Sequence, residues 1–364
     1  MDACLRDLHG NASSLHREGQ RARAAVDLAR ERVADLVHAG PDEVVFVSGG
    51  TEGDHLALVG GAWARRDQGR SVALTRVEHH AVHGAAEILA EHGFGIQHLA
   101  VDSRGVLELD ALERLAPGTV LVSVMLANNE TGVLQPVAEA ARRAHRAGAL
   151  LHCDAVQAAG KVTVDYRALG ADYLVLSGHK LGGPKGAGAM IVRKDAPLAP
   201  LFRGSAHERG RRGGTENVPG IVGLGVAAEC AARELAAEGA RLAGLRRRLE
   251  DGLTRIDPGV VVHGAGAERL PNTVNASFPG ARSDHLLMAL DARGIAVSAG
   301  AACASGAVEP SPVLSAMGVP RDLAVCALRI SMGRTTTTSD LERLLEVLPE
   351  ALHAARSARE AVRS

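Results

Sequence analysis

Short apolar runs alternate with amphipathic stretches along the first two-thirds of the chain. The runs fall at 43–48, 71–76, 95–101, 119–126, 149–153, 172–177 and 187–193. They are continuous rather than alternating, which predicts strands buried on both faces. Helical spacing fills the gaps at 19–38, from about 52, and at 83–91, 109–115 and 136–147. Strands separated by helices predict a mostly parallel α/β sheet with helices on both faces. Right-handed crossovers would then open every strand-to-helix loop at one sheet edge, where such sheets bind ligands. After Gly214 the pattern changes. A helical stretch over 218–255, with a break expected near Gly239, precedes short strands at 259–263, 272–278 and 295–298. A loop around Cys303, a strand near 326–331 and a helix opened by the capping box Ser339-Asp-Leu-Glu342 follow. The division predicted is a large α/β domain, 1–239, and a smaller α+β domain, 240–364.

Composition narrows the function. Aromatic residues make up 2% of the 364 residues, so the core is aliphatic and base-stacking nucleic-acid modules are disfavoured. The formal charge of −1 gives no electrostatic footprint for nucleic acid or a membrane. No apolar run reaches 18 residues and the start has no signal-peptide pattern, so a soluble, cytoplasmic protein is expected. The five cysteines include no CxxC pair, which argues against a disulfide scaffold and a zinc site. No metal is expected.

The predicted strand ends carry the chemistry. Lys180 follows the apolar run Tyr173-Leu-Val-Leu-Ser177 and precedes a glycine-rich turn. An amine desolvated at a strand mouth has a lowered pKa, as a Schiff-base lysine requires. A buried Asp–Lys ion pair is the plainer alternative. Leu150-Leu-His-Cys-Asp154 ends a neighbouring strand, with Gln157 just beyond. A lysine for an aldehyde and an acid for a pyridine nitrogen are what pyridoxal phosphate needs. Ser48-Gly-Gly-Thr51-Glu52 offers backbone N–H groups and a hydroxyl to an anion, or an ordinary helix cap. His79, in Glu78-His79-His80, suits stacking on a flat cofactor, or simply a polar helix start. Asn128-Asn129-Glu130-Thr-Gly132 places two amides after an apolar strand, for a ligand or for an Asx turn. Ser177 and His179 are placed to address a phosphate beside Lys180.

Together with Gly10-Asn-Ala-Ser-Ser-Leu-His16, Arg212-Gly-Gly-Thr-Glu-Asn217, Cys303-Ala-Ser305, Glu309-Pro-Ser311 and Arg329-Ile-Ser-Met-Gly333, these segments resemble the cysteine desulfurases of the class V aminotransferase group. These are fold-type-I pyridoxal phosphate enzymes. The resemblance implies that Lys180 carries the cofactor and moves the Cα proton. It pairs Asp154 with the pyridine nitrogen and Gln157 with the phenolic oxygen, stacks His79 on the ring, and gives the phosphate to Thr51, Ser177 and His179. Thr215 would reach the phosphate of a partner subunit, which implies a homodimer with shared sites. Asn129 and Arg329 would bind the substrate, Arg329 through its α-carboxylate.

Cys303 lies in the small, glycine-rich stretch Ser298-Ala-Gly-Ala-Ala-Cys-Ala-Ser-Gly306, which suits an exposed nucleophile. Cys153, Cys230 and Cys326 are expected to be buried and inert. Two departures stand out. The family's opening strand and Ala-Thr-Thr turn have no counterpart, since Met1 lies about nine residues before the Gly10 match, and a shortened start or a more open pocket is expected. The usual Ser-x-Asn after Thr-Glu is replaced by Gly53-Asp54, with Asp54 expected to point along its helix. The implied reaction converts L-cysteine to L-alanine, with sulfur held on Cys303 as a persulfide and passed to an acceptor protein. The alternatives are a related C–S or selenocysteine lyase, and a sulfur-relay scaffold without turnover.

Overall fold

Seven strands form one sheet, and their pairing decides which strand ends share an edge. They are β1 (Val44–Val47), β2 (Ser71–Thr75), β3 (Gly95–Leu99), β4 (Thr119–Ser123), β5 (Leu150–Asp154), β6 (Tyr173–Ser177) and β7 (Gly188–Val192). Their spatial order is β1-β7-β6-β5-β4-β2-β3. The computed structural model describes residues 1–205, 207–299 and 309–361. Five strands, β3 to β6 through β2, β4 and β5, are parallel. β7 is antiparallel to both β6 and β1, which leaves β1 pointing the same way as the parallel set. The connection from Ser177 to Gly188 is too short for a covered crossover, so the chain turns back on itself there. Val47 pairs with Gly188 and Gly188 with Ser177, so the ends of β1 and β6 meet at one edge.

Six of the seven strands are wholly buried, as continuous apolar runs require; β3, at the sheet's rim, is mostly open. Two glycines let one helix lie tightly on β6. The helix Gly50–His55 continues through a wider turn, Leu56–Gly60, into Gly61–Ala64. A Cβ on Gly53 would sit 2.6 Å from Val175 Cγ1, and one on Gly61 2.9 Å from the Tyr173 ring.

Contacts divide the chain into two units, and not at a single cut. The first holds Met1–Leu99, Glu108–Ala127 and Gln135–Leu235; the second holds Ala100–Leu107, Asn128–Leu134 and Ala236–Ser364. The second unit has its own antiparallel sheet. Its strands are β8 (Val261–Val262), β9 (Thr273–Ser277), β10 (Ser298–Ala299) and β11 (Ala327–Ser331), in the order β10-β11-β9-β8. Its core gathers Leu249, Phe278, Leu286, Leu328 and Leu348, among others.

Two local expectations change. The helix Val218–Ile256 runs 39 residues without a break at Gly239. The last helix, Thr338–Ala361, is capped two residues earlier than expected. Asp340 accepts from Thr337 N–H at 2.7 Å, and Thr337 Oγ1 accepts from Asp340 N–H at 3.2 Å. That reciprocal pair is a capping box in a different register.

Candidate active site

The shared edge of the first unit gathers most of the predicted residues. β6 ends at Ser177 and passes into the short turn Gly178–Lys180. Gly178 is required there, because a Cβ would lie 2.9 Å from Ala187 O and 3.1 Å from Pro184 O. Lys180 therefore sits on a tight turn beyond the strand, and its side chain is exposed rather than buried as the sequence suggested. Its charge is felt by His79, Asp154, Lys161 and His179, which places the amine among them. Burial, aided by Lys180, pushes Lys161 down to about 8, and its Nζ donates to Gln157 O at 2.7 Å. The sequence reading missed Lys161 because nothing about its spacing marks it.

Asp154 closes β5, is 5% exposed, and accepts from Val156 N–H at 2.8 Å. Burial and then the nearby Asp54 raise its carboxyl to about 7, while Val156 N–H, His152 and Lys180 pull it back. Such a carboxylate favours a cationic partner. Gln157 is half-buried one turn on. His79 is both helix cap and neighbour of Lys180. Its Nδ1 accepts from Ala81 N–H at 3.1 Å, which leaves Nε2 as the protonated nitrogen of the neutral ring. Burial, then His80 and Lys180, lowers its pKa and keeps it neutral.

At the end of β1, Gly49 and Gly50 lie beside Ser177; a Cβ on Gly49 would come within 3.9 Å of Ser177 Oγ. The first-turn N–H groups of the helix at Gly50, with Thr51 and Ser177, make an anion-sized cradle. Glu52 shapes it. Its carboxylate accepts from Ser48 N–H at 2.8 Å and from Arg212 Nε at 2.8 Å. Burial pulls Glu52 up, but Arg212 and Ser48 outweigh it and the acid ends below its ordinary value. Thr215 lies exposed two residues beyond Gly213, lining a cavity of about 210 Å³ with Ser48, Arg212 and Glu216. His179 is exposed, and burial of its ring with nearby Lys180, Lys185 and Lys161 holds its pKa down.

Asn129 and Arg329 belong to the second unit. Arg329 Nη1 donates to Asn129 O at 3.0 Å, while Arg329 Nε is buried without a hydrogen-bond partner among the described residues. Asn128 turns out to serve the backbone. Its Oδ1 accepts from Glu130 N–H, Thr131 N–H and Thr131 Oγ1, which is the Asx turn. Glu130 Oε2 accepts from Ser311 Oγ at 2.6 Å, so the Asn128–Gly132 and Glu309–Ser311 motifs are tied together. Cys303 lies outside the described residues, just after β10. Cys153 and Cys326 are buried, whereas Cys230 is half-buried with Arg233 Nη2 3.6 Å from its sulfur. Burial, then Asp154, Glu78 and Asp54, pushes the Cys153 thiol up, so it stays unreactive.

Asp54 does not point along its helix. It is 1% exposed, and its Oδ1 faces His152 Nε2 of β5 at 3.3 Å.

The donor set fits pyridoxal phosphate: an amine on a turn, a buried acid in need of a cation, and an anion cradle on the same edge. The family pattern described as Aminotransferase class-V matches residues 1–344. The chain belongs to that family. The cysteine desulfurase IscS of Methanosarcina thermophila is 44% identical over 342 residues, covering 94% of this chain and 84% of the relative. A solved NifS-like protein superposes with a TM-score of 0.90 at 37% identity, over 97% of this chain and 94% of the other. SspA in complex with cysteine superposes with a TM-score of 0.80 at 31% identity, over 91% and 92% of the two chains. As a member of that family, the protein is a pyridoxal phosphate-dependent enzyme of the cysteine desulfurase type.

Proposed function

We propose that the enzyme takes L-cysteine, holds its sulfur on Cys303 as a persulfide and releases L-alanine. The observation that carries the reading is the gathering of Lys180, Asp154, His79 and the Thr51–Ser177 cradle on one sheet edge. A similar solved structure, SspA, is described as a complex with cysteine, which supports the substrate. When bound, the cofactor draws electrons from the substrate α-carbon and so loosens the C–S bond.

The chain's own residues do the rest. Asp154 supplies the negative charge for a pyridine nitrogen, and Gln157 a hydrogen bond to the phenolic oxygen. Thr51, Ser177 and His179 hold the phosphate, with Thr215 reaching the site of a second copy in a homodimer. Neutral His79 stacks on the ring. Lys180 holds the cofactor at rest and then moves the Cα proton. Arg329, steered by the Asn129 carbonyl, takes the substrate carboxylate. The Cys303 thiolate attacks the substrate sulfur; an S–S bond forms as the C–S bond breaks, and the carbon keeps the electron pair and takes a proton. An acceptor protein thiol removes the sulfur afterwards. A cytoplasmic location, where thiols stay reduced, suits this thiol-to-thiol transfer.

Two variants test the reading. Lys180→Ala should lose the visible absorbance of the lysine-bound cofactor. Cys303→Ser should stop alanine release even when a thiol reductant is supplied. Undiminished alanine from C303S would overturn the persulfide role and favour a lyase that needs no loop cysteine. A parent protein with no cofactor band would instead point to a scaffold.

A further inference from the structure

Behind Asp154 the first unit buries a polar cluster that the reaction does not use. Asp54 and His152 are 1% and 0% exposed, with Asp54 Oδ1 and His152 Nε2 3.3 Å apart. Neither atom has a hydrogen-bond partner among the described residues, so a proton held between them would satisfy both. On the other side of the ring, His152 Nδ1 and the buried Ser123 Oγ lie 2.9 Å apart. His152 and Asp154 are two residues apart on β5 and so project from the same face of the sheet.

We propose that Asp54 is a positioning residue that keeps a proton on its own carboxyl, donates it as a hydrogen bond to His152 Nε2, and so leaves the ionised charge of the cluster on Asp154. The inference rests on the assignment of Asp154 to the cofactor's pyridine nitrogen.

The physical reason is competition for charge. Asp54, Glu78 and Asp154 are all buried; Asp154 and Asp54 both raise Glu78, and Asp54 also raises Asp154. Several buried carboxylates this close cannot ionise together. Burial alone puts Asp54 at about 8, and burial puts His152 at about 4, so the proton sits on the acid and the ring is neutral. His152 Nδ1–H then donates to Ser123 Oγ. Ionised, Asp54 could only accept; the ring would have to carry its proton on Nε2, and Ser123 would turn to donate to Nδ1. The pair therefore has two tautomeric settings, selected by one proton.

The titratable groups facing this pair are Glu78 beyond β2 and Cys153 and Asp154 of β5. β1 and β7 carry no titratable residue. Tyr173 of β6 donates its hydroxyl to Pro197 O. The helix His80–Glu91 brings exposed His80 and half-buried His83.

The test uses the full chain with three substitutions. D54N keeps a neutral donor of the same shape, and D54L keeps the volume without the donor. Cofactor affinity, read from absorbance during titration with pyridoxal phosphate at pH 7, should stay within about twofold for D54N and fall about tenfold for D54L, because a buried His152 Nε2 left without a donor no longer holds the end of β5 and Asp154 in place. Equal affinity in D54L and the parent would reduce Asp54 to packing and overturn the proposal. Equal loss in D54N and D54L would show that the ionised form is needed, and also overturn it. A second readout needs no cofactor. An acid raised in the folded state loses stability as pH rises through its folded value. The thermal midpoint of cofactor-free D54N should therefore climb relative to the parent from about pH 4 to about pH 8 and level off above it; a constant difference across that range would refute the assignment. K180A separates the two readings, since it should lose the cofactor band yet leave this pH dependence in place.

Discussion

A buried ion pair anchors the start of the segment that carries Arg212 and Thr215, and breaking it should be costly. Glu208 and Arg209 both adopt left-handed backbone, with φ of 47° and 57°. Such residues cost about 1–2 kcal/mol each, so something must hold them. Arg30, on the helix Arg17–Leu36, does so. Its Nη2 and Nη1 donate to the two Glu208 oxygens at 2.8 and 2.9 Å, and Nη1 also donates to Val44 O at 2.7 Å. Glu208 in turn accepts from Phe46 N–H at 2.9 Å. The side chains are 6% and 3% exposed, so solvent screens little of this. Arg30→Met would leave a buried carboxylate with one backbone donor, at about 3–5 kcal/mol. With a urea slope of about 2 kcal/mol/M, the midpoint should fall by roughly 2 M. Trp63 is the chain's single tryptophan and lies in the same unit, so its fluorescence follows the transition. Arg30→Lys keeps the charge without the fork and should fall between the two. An R30M midpoint within about 0.25 M of the parent, well under 1 kcal/mol by the same slope, would refute the argument.

Gly53→Ala should push its helix off β6, because the new Cβ meets Val175 at 2.6 Å; about 1–3 kcal/mol of stability and some cofactor affinity should go with it, seen by urea melts and cofactor titration. Glu78 is raised to about 8 by burial, against the pull of Thr75 and Met125 N–H, with Asp154 and Asp54 adding to the rise. Its stabilising proton is thus fully held below the ordinary carboxyl range and lost as pH rises through about 8, so E78Q should gain thermal stability over the parent between pH 5 and 9. R329K should raise the KM for cysteine about tenfold with a smaller change in kcat, in steady-state assays of alanine release, because an ammonium cannot form the two-pronged carboxylate contact. Ser311→Ala removes a 2.6 Å bond to the buried Glu130 and the cap to Val313 and Leu314. It should cost about 1–3 kcal/mol, visible as faster amide exchange over 311–317.

Most elements were legible because their signals are local. Buried strands such as 173–177 announce themselves by unbroken apolar runs, and Gly178 marks a turn that admits no Cβ. The capping register of the last helix was not, because Thr335-Thr-Thr-Thr-Ser339-Asp340 offers several equivalent caps. Only the bond from Gly333 N–H to Thr336 Oγ1, at 2.9 Å, and the Thr337–Asp340 pair choose one. Asn128 looked like a ligand for the same reason: an amide after a strand serves a turn or a substrate equally well until its partners are seen.

By itself the sequence determined the alternation of strands and helices, the family, and the candidates Lys180, Asp154, His79 and Arg329, because residue type and spacing are properties of the chain. The tertiary structure decided which way Asp54 faces, that Lys161 lies near Lys180, and that the end of β1 meets the end of β6 through an antiparallel β7. Burial and pairing are properties of neighbours remote in sequence. A carboxyl fifty-four residues into the chain acquires its proton only when a strand nearly a hundred residues later packs against it.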